Sequence, residues 1–228
     1  MRVAILCEFS GIVRDAFSKL GHEATSYDLL PSIRPGQHVQ GDVMAMNWPG
    51  FDLVIAHPPC THLAVSGARW FKGKEKEQGK ALDLVRFILN LDVPMIALEN
   101  PVSIISTRIR RPDQIIHPWQ FGHPEAKTTC LWLKNLPDLK PTKTLYAPCW
   151  VPCGDCDDYW CREHLRHVSE CSCDPIEEWT RNPYSPRWEN QTPSGQNKLG
   201  PSPDRWKNRS KTYQGIADAM AKQWGGLE

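Results

Sequence analysis

Short apolar segments alternate with helical segments along the first half of the chain, and this alternation constrains the fold more than any other feature. Strands are predicted at residues 2–7, 23–28, 52–56, 94–98 and 129–133. Helices are predicted between them at 11–20 and 80–91, from the spacing of the apolar residues. Strands that alternate with helices favour an α/β fold with a doubly wound, mostly parallel sheet. In such sheets ligands bind beyond the carboxyl ends of the strands.

Two polar motifs follow neighbouring strands of this predicted sheet. A Pro-Pro-Cys loop at 58–60 follows the third strand, and Glu-Asn-Pro at 99–101 follows the fourth. Because these strand ends meet at one edge, the Cys60 thiol and the Glu99 carboxyl group are expected to share a site. Most free cysteines are small buried residues, and an acid after a strand often caps the next helix. The stiff loop and the edge position instead favour a nucleophilic thiol beside an acid.

This pair of groups fits the activation of carbon 5 of a pyrimidine. A thiolate that attacks carbon 6 of cytosine places negative charge on the ring, and protonation at ring nitrogen 3 would neutralise that charge. Glu99 could supply the proton if apolar surroundings raise its pKa and keep it protonated. A carboxyl group that faces the edge of the base would also select cytosine.

The sequence resembles the cytosine-5 DNA methyltransferases, and most of all their short phage and prophage members. Their Pro-Cys-Gln-x-Phe-Ser-x-Ala-Gly loop corresponds to residues 59–67, which keep its Pro, Cys and final Gly, and their Glu-Asn-Val corresponds to 99–101. Their Tyr-Gly-Val-Pro-Gln-x-Arg-x-Arg corresponds to 121–129, ahead of a strand. The resemblance spans residues 2–133 and 209–224. It implies a Rossmann-like, S-adenosylmethionine-dependent methyltransferase that acts on DNA.

The resemblance also implies roles for single residues. Cys60 corresponds to the nucleophile and Glu99 to the acid at ring nitrogen 3. Lys127 takes the place of the first arginine, which steadies the base, and Thr129 stands where the family has a second arginine. One planar, bidentate cation is therefore missing and the other has become a point charge. The departure concerns how the cytosine carbonyl group and the thiol are held, rather than the chemistry itself.

The predicted methyl-donor site surrounds the ends of the first strands. The turn at 7–11 matches the Phe-x-Gly-x-Gly turn of the family only at its last residue, so it also fits a plain strand-to-helix connection. Asp28 is expected to bond ribose hydroxyl groups and Asp42 the adenine amino group, although acids in loops are mostly solvated. The complete predicted donor site comprises Glu8, Phe9, Ser10, Gly11, Asp28, Asp42, Pro58, Ser210 and Thr212.

Six of the nine cysteines lie between residues 149 and 173, in a loop-rich insert at 134–208. Two close pairs are predicted to form a structural zinc site, namely Cys153, Cys156, Cys171 and Cys173. Further candidate ligands are Cys149, Cys161, His164 and His167, and a metal-free loop of reduced cysteines is the alternative. The resemblance places target recognition in this insert. Its candidate DNA contacts, unless they face solvent or pack on the zinc loop, are Arg162, Arg166, Trp160 and Trp179.

The chain is thus predicted to have three parts: a catalytic domain at 1–133, the zinc-binding insert at 134–208, and a helix at 209–228 that returns to the catalytic domain. The net charge of +1 gives no overall signature of a nucleic-acid-binding protein, so DNA binding is expected to depend on local patches. No apolar run reaches the roughly 18 residues of a membrane span, and the first residues lack the features of a signal peptide. A cytoplasmic protein of a bacterium or of a phage-infected cell is expected, without a membrane partner.

The predicted partner is duplex DNA with the target cytosine flipped out of the stack. Two other functions fit the same sequence. The same fold could modify carbon 5 of a pyrimidine with a modified donor or on a free nucleotide, for which the replaced arginines leave room. A non-catalytic zinc module that binds nucleic acid is the other alternative, and the presence of both Cys60 and Glu99 argues against it.

Overall fold

The computed structural model describes residues 1–145 and 205–226, together with shorter stretches at 150–152, 159–161, 166–167, 188, 190–191, 197–200 and 202. Within these residues the chain forms a seven-stranded sheet and a small three-stranded sheet. The strands of the large sheet are β1 (Arg2–Leu6), β2 (Glu23–Asp28), β3 (His38–Gln40), β4 (Leu53–Ala56), β5 (Met95–Pro101), β6 (Gln114–Ile116) and β7 (Thr129–Lys134). The helices are α1 (Ile12–Lys19), α2 (Glu75–Leu89), α3 (Ile105–Arg108), α4 (Arg205–Ser210) and α5 (Gln214–Trp224).

The strand order across the large sheet is β3-β2-β1-β4-β5-β7-β6. Strand β7 runs antiparallel to both β5 and β6, whereas the other neighbouring strands are parallel. Without β7 the order is that of the doubly wound nucleotide-binding fold, whose ligands bind at the carboxyl ends of the strands. The predicted mostly parallel, doubly wound α/β sheet is confirmed.

Strand β5 continues further than the sequence indicates. Its predicted end is residue 98, but the strand runs on through Glu99 and Asn100 because β7 pairs with it, with Glu99 opposite Leu131 and Asn100 opposite Cys130. The backbone of Glu99 is therefore held by the β-ladder, on a strand rather than in the loop that follows it.

Helices cover both faces of the large sheet. α1 and α5 pack together on one face, and α2 packs on the other. The apolar face predicted for α5 is buried, and its members Ile216, Ala217, Met220 and Trp224 are each at most 3% exposed. Trp224 also donates its indole N–H to the Pro137 carbonyl oxygen at 3.0 Å. Among the described residues, no helix is long and apolar enough to cross a membrane.

A buried arginine holds the loop that follows β2. The Arg14 side chain is 1% exposed and pairs with Asp15 at 2.7 Å, while its guanidinium donates to the Ser32 hydroxyl at 3.2 Å and to the Pro35 carbonyl oxygen at 2.8 Å. We expect Arg14→Met to lower the free energy of unfolding by about 3 kcal/mol, because buried acceptors would lose their donors. Urea denaturation followed by circular dichroism measures the change.

Arg34→Met is the matched control for this substitution. The Arg34 guanidinium contacts the same Asp15 at 3.7 Å, but its side chain is 44% exposed. Its loss should change the free energy of unfolding by less than about 0.5 kcal/mol, since exposed ion pairs contribute little. Equal losses in the two variants would contradict the structural role of Arg14.

Candidate active site

The loop after β4 presents Cys60 at the carboxyl edge of the sheet. Strand β4 ends at Ala56, and Cys60 is exposed at the end of the Pro-Pro-Cys loop that follows. The Cys60 carbonyl oxygen accepts hydrogen bonds from the backbone N–H groups of Leu63 (3.0 Å) and Ala64 (2.9 Å). The chain thus turns immediately after the cysteine and leaves the thiol open to a substrate.

The end of β5 and the segment that follows it hold this loop in place. Asn100 is 1% exposed and donates its side-chain amide to the Pro58 carbonyl oxygen at 2.8 Å. Further along, the Ile104 N–H donates to the Leu63 carbonyl oxygen at 2.9 Å. The thiol and the carboxyl group therefore lie on two backbone segments that are bonded to each other, as the positions of the two motifs at neighbouring strand ends predict.

Glu99 forms a buried pair with His57. The His57 Nδ1 atom lies 3.2 Å from Glu99 Oε2, and the two side chains are only 6% and 14% exposed. Burial alone would raise the pKa of Glu99, but Lys127 and the hydrogen bond and charge of His57 bring the pKa below its ordinary value. The expectation of a raised pKa is therefore wrong for this structure, because Lys127 and the contact with His57 outweigh the apolar surroundings.

The electrostatic surroundings of Cys60 favour the neutral thiol. Partial loss of contact with water raises the pKa of Cys60 and the Glu99 carboxylate raises it further, whereas Lys127 and Arg209 oppose the rise. The charge of the carboxylate therefore acts on the thiol, and their two backbone segments are hydrogen-bonded to each other. Arg209, on α4, was not among the predicted site residues; its signal in the sequence is its place among the five basic residues at 198–211.

Lys127 is positioned by three other parts of the chain. Its Nζ atom lies 3.4 Å from the Arg209 carbonyl oxygen and 5.9 Å from the centre of the Tyr213 ring. Just before it, Asn190 forms two hydrogen bonds with the backbone of Ala126, at 2.9 and 3.1 Å. The charge of this lysine, which is predicted to steady the base, lowers the pKa of both Cys60 and Glu99.

Thr129 offers no replacement for the second arginine of the family. It is 2% exposed, and its hydroxyl donates to the Lys127 carbonyl oxygen at 3.4 Å. The second cation near the thiol is instead Arg209, which reaches the site from a distant part of the chain.

The loop that carries Lys127 is fixed to the start of α5. Tyr213 donates its hydroxyl to Glu125 Oε2 at 2.6 Å, and the Gly215 N–H donates to His123 Nε2 at 2.8 Å. A Cβ atom on Gly215 would lie 2.0 Å from the Phe121 carbonyl oxygen, so only glycine allows this close approach. Burial and the bond to Glu125 raise the pKa of Tyr213, which therefore remains a hydroxyl donor.

A narrow cleft with a volume of about 10 Å³, roughly that needed by one water molecule, lies next to this site. The His57 Nε2 atom is buried and has no hydrogen-bond partner among the described residues, a state that costs about 1–3 kcal/mol for a neutral group. Trp206 of α4 packs on Phe9, one of the lining residues, with ring centres 5.9 Å apart. The cleft is smaller than the roughly 300–1,000 Å³ of small-molecule pockets. Its lining includes five of the predicted donor residues and comprises Cys7, Glu8, Phe9, Ser10, His57, Ser210 and Thr212.

Two of the predicted donor residues shape the turn between β1 and α1. Glu8 is 3% exposed, and its carboxylate accepts hydrogen bonds from the N–H groups of Val13 (2.7 Å) and Arg14 (3.3 Å). Gly11 precedes the helix with φ 71°, a left-handed conformation that glycine adopts without strain. The oxygens of Glu8 are thus engaged by the start of α1.

The two aspartates lie beside the cleft without lining it. Asp28 Oδ1 accepts from the Leu30 N–H at 2.8 Å, and Asp42 Oδ1 accepts from the Met44 N–H at 2.9 Å. Burial and these two carboxylates raise the pKa of Cys7 to about 12, so both acids are near that thiol. Pro58, the remaining predicted donor residue, is buried at the base of the cysteine loop.

The predicted zinc ligands Cys153, Cys156, Cys171 and Cys173 lie outside the described residues, and the zinc site stays a prediction. The backbone around them forms a small antiparallel sheet of β8 (Trp150–Pro152), β9 (Tyr159–Cys161) and β10 (Arg166–His167). In the part of the chain that the structure describes, no group of three or more His, Cys, Asp or Glu residues could hold a metal ion.

The fold and the site define a doubly wound α/β protein with a thiol and a carboxylate at the ligand-binding edge of its sheet. No protein family and no curated protein matches the sequence. One similar solved structure is that of a candidate DNA modification methyltransferase encoded within a prophage of E. coli, with a TM-score of 0.41 and 15% sequence identity. The match covers 65% of this chain and 53% of that one, so the chain spans about half the length of that protein.

Proposed function

We propose that the protein is a DNA methyltransferase that transfers a methyl group from S-adenosylmethionine to carbon 5 of cytosine. The observation that carries the proposal is the exposed Cys60 thiol on a braced loop, with the Glu99 carboxylate close enough to raise its pKa. A nucleophile and an acid at neighbouring strand ends are the two groups that this chemistry requires.

In the proposed reaction the Cys60 sulfur bonds to carbon 6 of the cytosine, and the electron pair of the 5,6 double bond moves into the ring. The proton that Cys60 loses passes through the Glu99 carboxylate to ring nitrogen 3, which leaves carbon 5 nucleophilic without a net charge on the base. Carbon 5 accepts the methyl group and then loses its proton, and the returning electron pair breaks the bond to Cys60. The target base would have to leave the duplex stack to reach this edge.

The charge of Glu99 links the thiol to the presence of the base. While Glu99 is ionised, its charge raises the pKa of Cys60 and disfavours the thiolate. A proton shared between Glu99 and ring nitrogen 3 removes that charge, and the thiolate is then stabilised by Lys127 and Arg209. The nucleophile would thus form when a base is in place and remain a thiol otherwise.

The cleft suits a donor that carries polar groups, because His57 lines it and the buried Nε2 atom of this ring has no partner in the described part of the chain. Phe9, Ser10, Ser210 and Thr212 would hold the donor, with Asp28 and Asp42 beside them for its ribose and adenine. S-adenosylmethionine would supply an activated methyl group. We expect Trp206 to move off Phe9 when the donor binds, because the present volume is too small.

Covalent trapping tests the proposed function. Duplex DNA that contains 5-fluorocytosine in random sequence is incubated with the protein and S-adenosylmethionine, and the products are separated under denaturing conditions. Since fluorine cannot leave carbon 5 as a cation, a functioning enzyme should remain bonded to the DNA through Cys60, which peptide mass spectrometry identifies. Folded protein that binds the donor but forms no adduct would contradict the proposal.

Arg209 is expected to support the thiolate in place of the missing family arginine. Arg209→Met should raise the pKa of Cys60 and slow its alkylation by iodoacetamide at pH 8 by about three- to tenfold. Mass spectrometry of the Cys60 peptide measures the rate. Lys211→Met is the control, because Lys211 bonds to the Asn208 side chain at 3.2 Å and does not contribute to the pKa of Cys60. Equal slowing in both variants would exclude a specific role for Arg209.

We expect the insert to bind zinc through Cys153, Cys156, Cys171 and Cys173 and to contact DNA. Elemental analysis should find at least one zinc per chain, because two close cysteine pairs provide the four thiolates of a structural site. Cys171→Ser should lower the zinc content and weaken DNA binding, while donor binding should persist. Full zinc content in this variant would show that other residues hold the metal.

A second candidate function keeps the chemistry and changes the substrate. Thr129 is buried and bonded to the chain itself, so the site has one cation fewer along the sheet than the family pattern. That departure favours a free nucleotide or a modified donor. Turnover of a cytidine nucleotide without any adduct on fluorinated DNA would support this function over the first.

A further inference from the structure

His57 lies between the two halves of the proposed site. Its Nδ1 atom is 3.2 Å from Glu99 Oε2, and its side chain is 6% exposed. The same ring lines the cleft beside β1, where its Nε2 atom is buried without a partner among the described residues. One imidazole thus touches the acid on one side and the cleft on the other.

The backbone fixes this placement. The His57 N–H donates to the Leu6 carbonyl oxygen at 3.0 Å, so the residue continues the ladder between β4 and β1. The titratable groups around the ring are Glu99 on β5, with Lys127 beside it, and Cys7 and Glu8 on the turn after β1. Glu8 is already engaged by α1. The Nε2 atom is therefore available to a ligand in the cleft.

We propose that His57 is a positioning residue that binds an anionic oxygen of the methyl donor through Nε2–H while Nδ1–H holds Glu99. A doubly protonated imidazole donates through both nitrogens, and here it would lie between two carboxylates, that of Glu99 and that of the amino-acid part of the donor. A donor bound in the cleft would then hold the His57 imidazole in one orientation. The imidazole in turn would hold the Glu99 carboxylate in the position from which it contacts the base. The inference rests on the proposed function and adds a link between its two ligands.

Two substitutions separate the two nitrogens of the ring. The side-chain amide of His57→Asn can take the place of Nδ1 and keep the bond to Glu99, but it does not reach the position of Nε2. The amide of His57→Gln reaches that position and loses the bond to Glu99. Each variant is the control for the other, because both replace a buried ring with a neutral amide.

The expected results differ for the two variants. His57→Asn should raise the dissociation constant of S-adenosylmethionine about tenfold, with a smaller effect on kcat at saturating donor. His57→Gln should leave the donor affinity within about threefold of that of the unsubstituted protein and lower kcat by at least about tenfold. Calorimetry gives the affinities, and transfer of a radioactive methyl group to DNA gives kcat.

Two results would overturn the inference: the same shift in affinity and kcat for Asn and Gln, or an unchanged donor affinity in His57→Asn. Absence of donor binding by the unsubstituted protein would overturn it together with the proposed function. Donor binding without an adduct on fluorinated DNA would contradict the proposed function alone, and the affinities of the two variants would then decide the role of His57.

Discussion

Cys60→Ala is expected to form no denaturant-resistant complex with DNA that contains 5-fluorocytosine, and its rate of methyl transfer should fall by at least about 10⁴-fold. Methyl transfer to carbon 5 depends on a covalent bond at carbon 6, and alanine has no atom that can form it. Cys60 is exposed and its side chain supports no core packing, so the variant should keep its stability and its affinity for the donor. Gel analysis of the trapped DNA and calorimetry with S-adenosylmethionine measure the two quantities.

Cys130→Ala is the control for this substitution. Cys130 is also a free cysteine and lies on β7, opposite Asn100 of β5, but it is 2% exposed. Burial and the charge of Glu99 raise its pKa, so it is neither accessible nor ionised. Its loss should leave the adduct in place. Persistence of the adduct in Cys60→Ala would show that another thiol is the nucleophile.

Glu99→Gln is expected to lower kcat for methyl transfer by about 10²- to 10⁴-fold, the usual effect of removing a general acid. An amide can face the base with nearly the same shape, but it cannot supply a proton to ring nitrogen 3. The bond from His57 Nδ1 to the side-chain oxygen can persist, so the fold of the site should be kept. Single-turnover methyl transfer with saturating donor and DNA isolates this step.

The same substitution should make the thiol more reactive while it makes the enzyme slower. Removing the negative charge of Glu99 lowers the pKa of Cys60, so the thiolate fraction at pH 8 rises and alkylation by iodoacetamide becomes faster. A general loss of structure would also lower kcat but would expose the buried Cys130 to the reagent.

Asp83→Asn controls for a change in net charge, since Asp83 lies on α2, is 65% exposed and pairs with Arg86. It should change neither the rate of methyl transfer nor the alkylation of Cys60. Slower alkylation of Cys60 in Glu99→Gln would refute the proposed coupling between carboxylate and thiol.

The sheet and the pairing of the two motifs could be predicted because their signals are local. Strand β2 (Glu23–Asp28) has the predicted bounds, and the cysteine loop begins where the apolar residues of β4 end. The extension of β5 through Glu99 could not be predicted, because it depends on antiparallel pairing with β7, a strand that follows later in the chain. Pairing between two distant strands is not visible in the spacing of apolar residues along either strand.

The charge state of Glu99 could not be predicted from the sequence either. The motif places an acid after an apolar strand, and that context alone favours a raised pKa. The fold then adds His57, 42 residues earlier in the chain, and Lys127 from the loop before β7, and together they reverse the direction. Arg209 was missed for the same reason, since it contacts Lys127 across 82 residues of sequence.

Helix α4 is short and carries both Trp206 and Arg209, so a movement of the helix would displace both residues. Trp206 packs on Phe9, a residue that lines the cleft, and Arg209, less than one helical turn further along, lowers the pKa of Cys60. In the proposed enzyme, a shift of α4 that admits a donor would therefore also move this cation relative to the thiol. Donor binding and activation of the thiol would then be successive events.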